Sequence, residues 1–299
     1  MSGVGPSSQW LPSGPWKTVL EFFREQFPRV GAETWIARMD RGEVVDETGV
    51  RVGPESVYRI GACIFYYREV ENESVIPLVE QVLYRDEHIL VADKPHFLPV
   101  IPAGRFLHET LLVRLKKNYG VEDLVPVHRL DRETAGVVMF SVDAGTRGKY
   151  TSLFRNRQVT KVYDALAPTL DHSELPTLRQ SRLVRGEPFF RMKEVAGIPN
   201  SETKIVPLRN LGVNTVYRLI PVTGRKHQLR VHLAAIGIPI VNDKLYPVIS
   251  SSNEDDLSSP LKLVARSLSF QDPITGQQMY FESGMTLSGR HSVAAPCGV

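Results

Sequence analysis

Apolar residues recur along the chain at two spacings. Leu20, Phe23 and Phe27 lie three and four positions apart, which predicts a short amphipathic helix ended by Pro28, with a second helix near residues 32–39. The apolar runs then shorten to residues 44–45, 50–52 and 64–67. Gly42, Gly49, Gly53-Pro54 and Gly61 punctuate them, as expected of small strands. From Leu78 onward strands and helices alternate with short loops. Strands are expected at residues 82–84, 89–92, 136–142, 159–166 and 215–222, with a last one near 261–270. Helices are expected at 144–157 and at 225–236, the second stopped by Gly237.

This pattern predicts an α+β chain in two parts. Residues 71–77 lie in an acidic, polar stretch (EVENESVIP, residues 69–77) and read as the linker between a module at 17–70 and a larger domain at 78–290. The Ser/Gly/Pro-rich residues 1–16 read as a disordered leader without the basic and apolar regions of a signal peptide, and residues 291–299 as a tail. Two helices followed by a small ribbon resemble the S4-type RNA-binding module, although its basic face is thin here.

Composition narrows the function. Apolar residues make up 42% and charged residues 23%, ordinary values for a soluble globular protein. No apolar run approaches the roughly eighteen residues of a membrane span. The two cysteines, Cys63 and Cys297, lie far apart without metal-ligand spacing, which points to free thiols in a reducing compartment and a cytoplasmic protein. The net charge is +3, unevenly placed: residues 1–77 carry 8 basic and 11 acidic side chains, so the excess of positive charge belongs to the larger part. A polyanion would dock there, although charge alone describes a solvated basic face equally well. No GxGxxG fingerprint, P-loop or Cys/His cluster calls for a cofactor or metal.

The chemistry concentrates in residues 126–142, PVHRLDRETAGVVMFSV, where a charged turn runs directly into a buried apolar strand. In isolation, an aspartate such as Asp131 between Arg129 and Arg132 is more often a structural ion pair than a catalyst. Two other segments change the balance. In VTKVYDA (residues 159–165), Lys161 and Tyr163 share one face of a strand and Val162 and Asp164 the other. In PVTGRKHQLRVHL (residues 221–233), a strand ends at Thr223-Gly224 and a basic helix begins. Its apolar stripe is Leu229, Leu233 and Ile236, with His227 and Arg230 on a different face.

HRLD with x-x-T-x-G, then K-x-Y, then TGRKHQLRVHLAAIG-x-PI-x-x-D-x-LY, in that order, resemble the RluA-type pseudouridine synthase family. ILVADKPHFLPV (residues 89–100) is similar to that family's strand-plus-KP segment, and KLVARSLSFQDPITG (residues 262–276) to its closing strand. The resemblance runs from about residue 83 to 281. Ala135 stands where the family usually has Ser, and His96 and Asn242 stand where it often has Gly. The resemblance implies a largely antiparallel mixed sheet flanked by helices around a central basic cleft. It also implies isomerisation of uridine in RNA without cofactor, by a protein expected to be a monomer.

The implied roles follow the reaction. A stacked uridine must first leave its helix, at a cost of a few kcal/mol. Arg129 would fill the vacated space. Asp131 would act on the ribose, either as nucleophile at C1′ or by removing a proton at C2′. Burial disfavours a charged carboxylate, so a fixed cation is needed beside it, and Arg230 is the candidate. Tyr163 would hold the detached uracil against its ring and assist proton removal from C5. Lys161 and Arg225 would contact the RNA backbone. His128 and His227 are expected to be hydrogen-bonding structural residues, and Glu133 and Asp143 to point away from the site.

Residues 171–212 carry Arg179, Arg182, Arg185, Arg191 and Lys193 and are expected to form a basic loop or hairpin that clamps RNA, ribosomal RNA being favoured over transfer RNA. Two rivals stand beside this reading: a hydrolase that releases the base, and a non-catalytic RNA-binding factor that keeps only the surface.

Overall fold

The computed structural model describes residues 4–28, 30–70, 73–171, 175–250 and 255–289. The chain forms two compact units, residues 1–73 and 74–299.

In the first unit, β1 (Ser7–Trp10), α1 (Val19–Gln26), α2 (Ala32–Asp40), β2 (Val44–Asp46) and β3 (Cys63–Tyr66) follow in order. The strands form an antiparallel sheet in the order β1-β3-β2. Thr18 caps α1 by accepting the Glu21 N–H, while the Glu21 carboxylate accepts the Lys17 N–H, a reciprocal pair that opens the helix where the apolar spacing begins. Phe22, Phe23, Trp35 and Met39 bury the faces of both helices against Val44, Ile64 and Tyr66.

Two expectations fail here. Residues 7–10 of the supposed leader are a strand on β3, and Leu11 behind them is 2% exposed, so pairing and burial order that segment. The strand expected at residues 50–52 is reduced to the single bridge Val45–Arg51, after a turn at 47–49. Cys63 is buried as a free thiol, and Cys297 lies outside the described residues.

The second unit contains β4 (Gln81–Arg85), β5 (Ile89–Lys94), α3 (Leu111–Tyr119), β6 (Val125–Pro126), β7 (Ala135–Ser141), α4 (Arg147–Arg155), β8 (Thr160–Pro168) and β9 (Leu178–Arg185). It continues with β10 (Met192–Val195), β11 (Ser201–Asn210), β12 (Asn214–Pro221), α5 (Gln228–Ala235), β13 (Leu263–Gln271) and β14 (Gln278–Glu282). One mixed, largely antiparallel sheet runs β10-β9-β11-β12-β8-β13-β7-β5-β4, with β14 beside β13 and β6 beside β7. The expected α+β class is thus observed.

The β7–β5 part of this sheet is covered on both faces. Leu90, Ala92, Val138 and Phe140 pack with Leu111 and Leu115 of α3, while Ile89, Val91, Val137 and Met139 pack with Tyr150 and Leu153 of α4. Alternate residues of one strand therefore feed two cores, which is why residues 136–142 read as a continuous apolar run. A third core joins Ala165 and Tyr217 to Leu229 and Leu233 of α5. The expected linker does not extend to residue 77, because Ile76 is 8% exposed and belongs to the first of these cores. Its N–H is held by Glu109 and its carbonyl by Arg114.

Where β7 and β13 run parallel, Gly136 faces Ala265. Its φ is +115°, and a Cβ there would lie 2.2 Å from the Ala265 carbonyl oxygen. Only glycine fits, which gives the motif x-x-T-x-G a steric reason at the strand that follows the HRLD turn. Gly136→Ala is expected to destabilise the protein by at least about 2 kcal/mol, read as a lower urea midpoint; an unchanged midpoint would remove this close approach from the account.

Candidate active site

A cleft of about 590 Å³ opens over the middle of the sheet, between the turn before β7, strand β8 and the start of α5. All six residues singled out in the sequence line it: Arg129, Asp131, Lys161, Tyr163, Arg225 and Arg230. Arg155, Arg157 and Lys226 add positive charge, and Asp131 is the single carboxylate among the described residues of the lining. A basic funnel around one acid is the field a polyanionic substrate needs.

Asp131 sits in a turn closed by the Thr134 N–H on the Asp131 carbonyl. Its Oδ2 lies 3.6 Å from Arg230 Nη1, and its Oδ1 lies 3.8 Å from His227 Nε2. Arg230 is itself 1% exposed. It is gripped on its other edge by Asp243, Nε to Oδ2 at 2.8 Å and Nη2 to Oδ1 at 2.7 Å. Burial works against that charge, but the hydrogen bonds and charge of Asp243 outweigh it, with Asp131 and Glu133 adding to them, and raise the Arg230 pKa. Asp243 also accepts the N–H groups of Leu245 and Tyr246. Nη1 is left without a hydrogen bond, between Asp131 and the Glu133 Oε2 at 3.7 Å.

Glu133 does not line the cleft, in keeping with the expectation, but it sits close behind it. It lies behind Arg230, 3.0 Å from Arg132 Nη2. Burial raises its pKa, but Arg132 and Arg230 hold it below the usual carboxylate range. Arg132 in turn grips Asp255 through two contacts of 2.7 Å. Asp143 does point elsewhere, capping the turn before α4 through Gly145 and Thr146.

On β8, Lys161 and Tyr163 face the cleft, while Asp164 on the opposite face pairs with Arg218 and Arg266, in keeping with strand alternation. Burial, with a smaller contribution from the Asp131 charge, raises the Tyr163 pKa, so its hydroxyl stays protonated and is a poor base. Burial, and secondarily Arg157, lowers that of Lys161. Arg129 is exposed and has no hydrogen bond or ion pair among the described residues, and Arg225 donates from Nε to the Asn200 carbonyl.

The turn TGRKHQ takes its shape from Gln228, which is 4% exposed. Its side-chain oxygen accepts from Thr223 and from the Arg225 N–H, and its amide donates to the Glu202 carbonyl and to Thr203. His227 follows in the left-handed region, φ 54°, which turns its ring toward Asp131. Asn242 is also left-handed, φ 64°, in keeping with the glycine expected there; near His96 the left-handed residue is instead Phe97.

Sequence reasoning passed over Lys94, which is wholly buried at the end of β5. Its Nζ donates to the carbonyls of Pro95, Leu98 and Arg132 at 3.0, 2.8 and 3.1 Å. Burial pushes it down to about 7, against the pull of Glu133 and Asp131. Three carbonyl acceptors need three N–H donors, which only the ammonium form supplies, so we assign the charged state. Lys94 thereby ties the Asp131 turn to the sheet. Asp243 and Tyr246 were also passed over as individuals, although both stand in the quoted D-x-LY.

Residues 88–235 match the RNA pseudouridylate synthase family. The dual-specificity RNA pseudouridine synthase RluA of Vibrio vulnificus is 34% identical over 203 residues, 64% of this chain and 78% of that one. The tRNA pseudouridine(31) synthase of Saccharomyces cerevisiae is 33% identical over 202 residues, 60% of this chain and 50% of its own length. Among solved structures, human RNA pseudouridylate synthase domain containing 1 superposes with a TM-score of 0.55 at 25% identity, over 69% of this chain and 83% of that one. Fold and sequence together define a pseudouridine synthase, an isomerase acting on RNA. The chain belongs to the RluA-type family of these enzymes.

Two buried imidazoles, His96 and His232, and the half-buried His128 stand on the elements that carry the site. Burial pushes His128 down to about 3, and His96 and His232 to about 4. His128 accepts the Met139 N–H at 3.1 Å and stacks on Phe154. Each is neutral when folded, whereas an unfolded histidine takes a proton near pH 6.5. The unfolded state therefore binds more protons once pH drops below about 6.5, and stability is lost from there down to about 4. The unfolding free energy from urea titration is expected to be level between pH 8 and 7 and to fall below 6.5, by up to about 1.4 kcal/mol per pH unit for each imidazole. A flat profile between pH 7 and 5 would show that these rings take up protons as readily in the folded state as in the unfolded one.

Proposed function

We propose that Asp131 is the carboxylate that acts on the ribose of a uridine turned out of its stack into the cleft. The observation that carries this is its position as the lone acid of a basic cleft, with the one unbonded N–H edge of a buried arginine directed at it. In the reaction the C1′–N1 bond breaks, uracil turns, and a C1′–C5 bond forms while C5 gives up a proton and N1 gains one. Nothing is oxidised and no group enters. Two routes are open to the carboxylate: addition at C1′, or removal of the C2′ proton to give a glycal.

Arg230 stands beside Asp131 as a fixed positive charge. Tyr163 offers a flat wall on which the detached base stays stacked, a contribution of about 1–3 kcal/mol. Its high pKa favours this role over proton removal from C5. Arg129, exposed and unpaired among the described residues, enters the space the base has left, and Lys161 and Arg225 hold the backbone. Asp131→Ala is expected to abolish pseudouridine formation in RNA while leaving RNA binding within a few-fold. Unchanged pseudouridine content would favour the binding-only reading, and free uracil released by the unaltered protein would favour a hydrolase.

The substrate we propose is ribosomal RNA, with transfer RNA beside it because the yeast relative is named for a tRNA position. The N-terminal unit, two helices on a small ribbon, supports a role as an S4-like docking module. We read the protein as a monomer of the cytoplasm; no described helix is long and apolar enough to cross a membrane.

The expected basic clamp corresponds to the hairpin β9–β10 at the sheet edge. Of its five cations, Arg179 is paired with Glu194, and Arg191 stacks over Tyr246 and donates to the Pro247 carbonyl. Arg182, Arg185 and Lys193 are exposed and support RNA contact. Changing these three to Gln is expected to weaken RNA binding and lower the slope of log K against log salt by roughly 2. An unaltered slope would exclude the hairpin from the RNA surface.

A further inference from the structure

Arg230 is not alone beside Asp131. His227 occupies the other carboxylate oxygen at 3.8 Å, and its remaining nitrogen, Nδ1, lies 2.8 Å from the Tyr246 hydroxyl. That hydroxyl accepts the Met192 N–H at 2.7 Å. A phenol has one proton to give, and among the described residues Nδ1 is the acceptor in reach of it. If Tyr246 donates to Nδ1, the ring's own proton must sit on Nε2, facing Asp131. The charge of the carboxylate favours the same tautomer. Burial holds the imidazole below its ordinary range, against the pull of Asp131, so one ring proton rather than two is present at neutral pH.

We propose that His227 is a positioning residue, a neutral Nε2–H donor that Tyr246 locks in the tautomer facing Asp131. This rests on the reading of Asp131 as the reacting carboxylate. At 3.8 and 3.6 Å, the imidazole and guanidinium donors both stand just beyond hydrogen-bond reach of Asp131, and such contacts tighten when substrate fills a site. With one donor on each oxygen, the carboxylate is fixed in rotation. Tyr246 braces both donors, because its ring also lies 5.4 Å from the Arg230 guanidinium.

The chain of contacts starts at Met192, the first residue of β10 in the basic hairpin. A shift of that hairpin on RNA would reach Asp131 through two hydrogen bonds. The left-handed backbone at His227 selects the informative variants. Asparagine tolerates that conformation but its short amide cannot reach Asp131, whereas glutamine can place an N–H near the Nε2 position.

The test combines spectroscopy with kinetics on full-length protein and a uridine-containing RNA substrate. Long-range 1H–15N spectra of histidine-labelled protein, assigned by loss of the signal in His227→Asn, are expected to show Nδ1 unprotonated and Nε2 protonated. Tyr246→Phe, which keeps the ring over Arg230, is expected to mix the tautomers. Both substitutions should lower kcat about 10- to 100-fold with KM within twofold, as one hydrogen bond to a charged group would. The double variant should be no slower than His227→Asn, and His227→Gln should regain part of the loss. A proton on Nδ1 in the unaltered protein, full kcat in Tyr246→Phe, or losses that multiply in the double variant would overturn the proposal. Failure of the Asp131 reading looks different: Asp131→Ala would stay active while the tautomer measurement still reported the Tyr246–His227 bond.

Discussion

The site depends on a guanidinium held in a place where a charge is costly. Arg230 is almost wholly buried, and Asp243, which is fully buried, engages two of its nitrogens. Removing either partner of such a pair strands a charge in low dielectric, at a cost of about 3–5 kcal/mol. The pair is therefore fixed, and the fixed pair leaves a single N–H edge unspent. That edge lies between Asp131 and Glu133, and of the two it is Asp131 that lines the cleft. A lysine at the same position would be a point charge unable to grip one carboxylate with two nitrogens while addressing another with a third. Everything else in the cleft is arranged around this direction: Gln228 shapes the turn before α5, and His232 fastens the middle of the helix to Ser181, Ser201 and Thr203.

The opposing half of the site is a turn, and a turn needs external restraint to hold a carboxylate in place. Lys94 supplies one, binding the Arg132 carbonyl from the end of β5. His96 supplies another through the Glu133 carbonyl at 2.6 Å. Arg132 holds Asp255 from a distant part of the sequence, and Gly136 lets β7 approach Ala265 directly after the turn. The KP segment, the HRLD turn and the x-x-T-x-G spacing are thus three parts of one clamp.

How much of this was legible in the sequence varies with how local the cause is. The cleft-lining motifs, the two N-terminal helices and strands β5, β7, β8 and β12 could be read because their periodicity and punctuation lie within a few residues. Helix α3 was missed although Thr110 caps its start and Gly120 closes it in the left-handed region. Strands β9 to β11 were taken as one basic loop or hairpin. Their alternation is masked by arginines at Arg179, Arg182 and Arg185 on strands near the sheet edge. Residues 7–10 were misjudged because Ser8, Gln9 and their neighbours carry no strand signal of their own; β3 orders them by pairing. Asp243 and Tyr246 stood in a recognised motif, but their tasks arise only when a loop more than ten residues past Arg230 folds back onto it.

Glu133 bears on the hydrolase alternative. A glycosidase of the usual kind needs two carboxyl groups flanking the scissile bond, one of them free to carry a proton. Here the second carboxylate is present in sequence, two positions from Asp131, yet it does not line the cleft. It lies against Arg132 and behind Arg230, which keep it ionised, so it is poorly suited to protonate a leaving base. Nor does the neutral imidazole of His227 replace it, since its remaining nitrogen is occupied by Tyr246. With Asp131 the single acid lining the cleft among the described residues and Tyr163 a flat ring beside it, the proposed reading of the site is better matched to rejoining the glycosidic bond than to hydrolysing it.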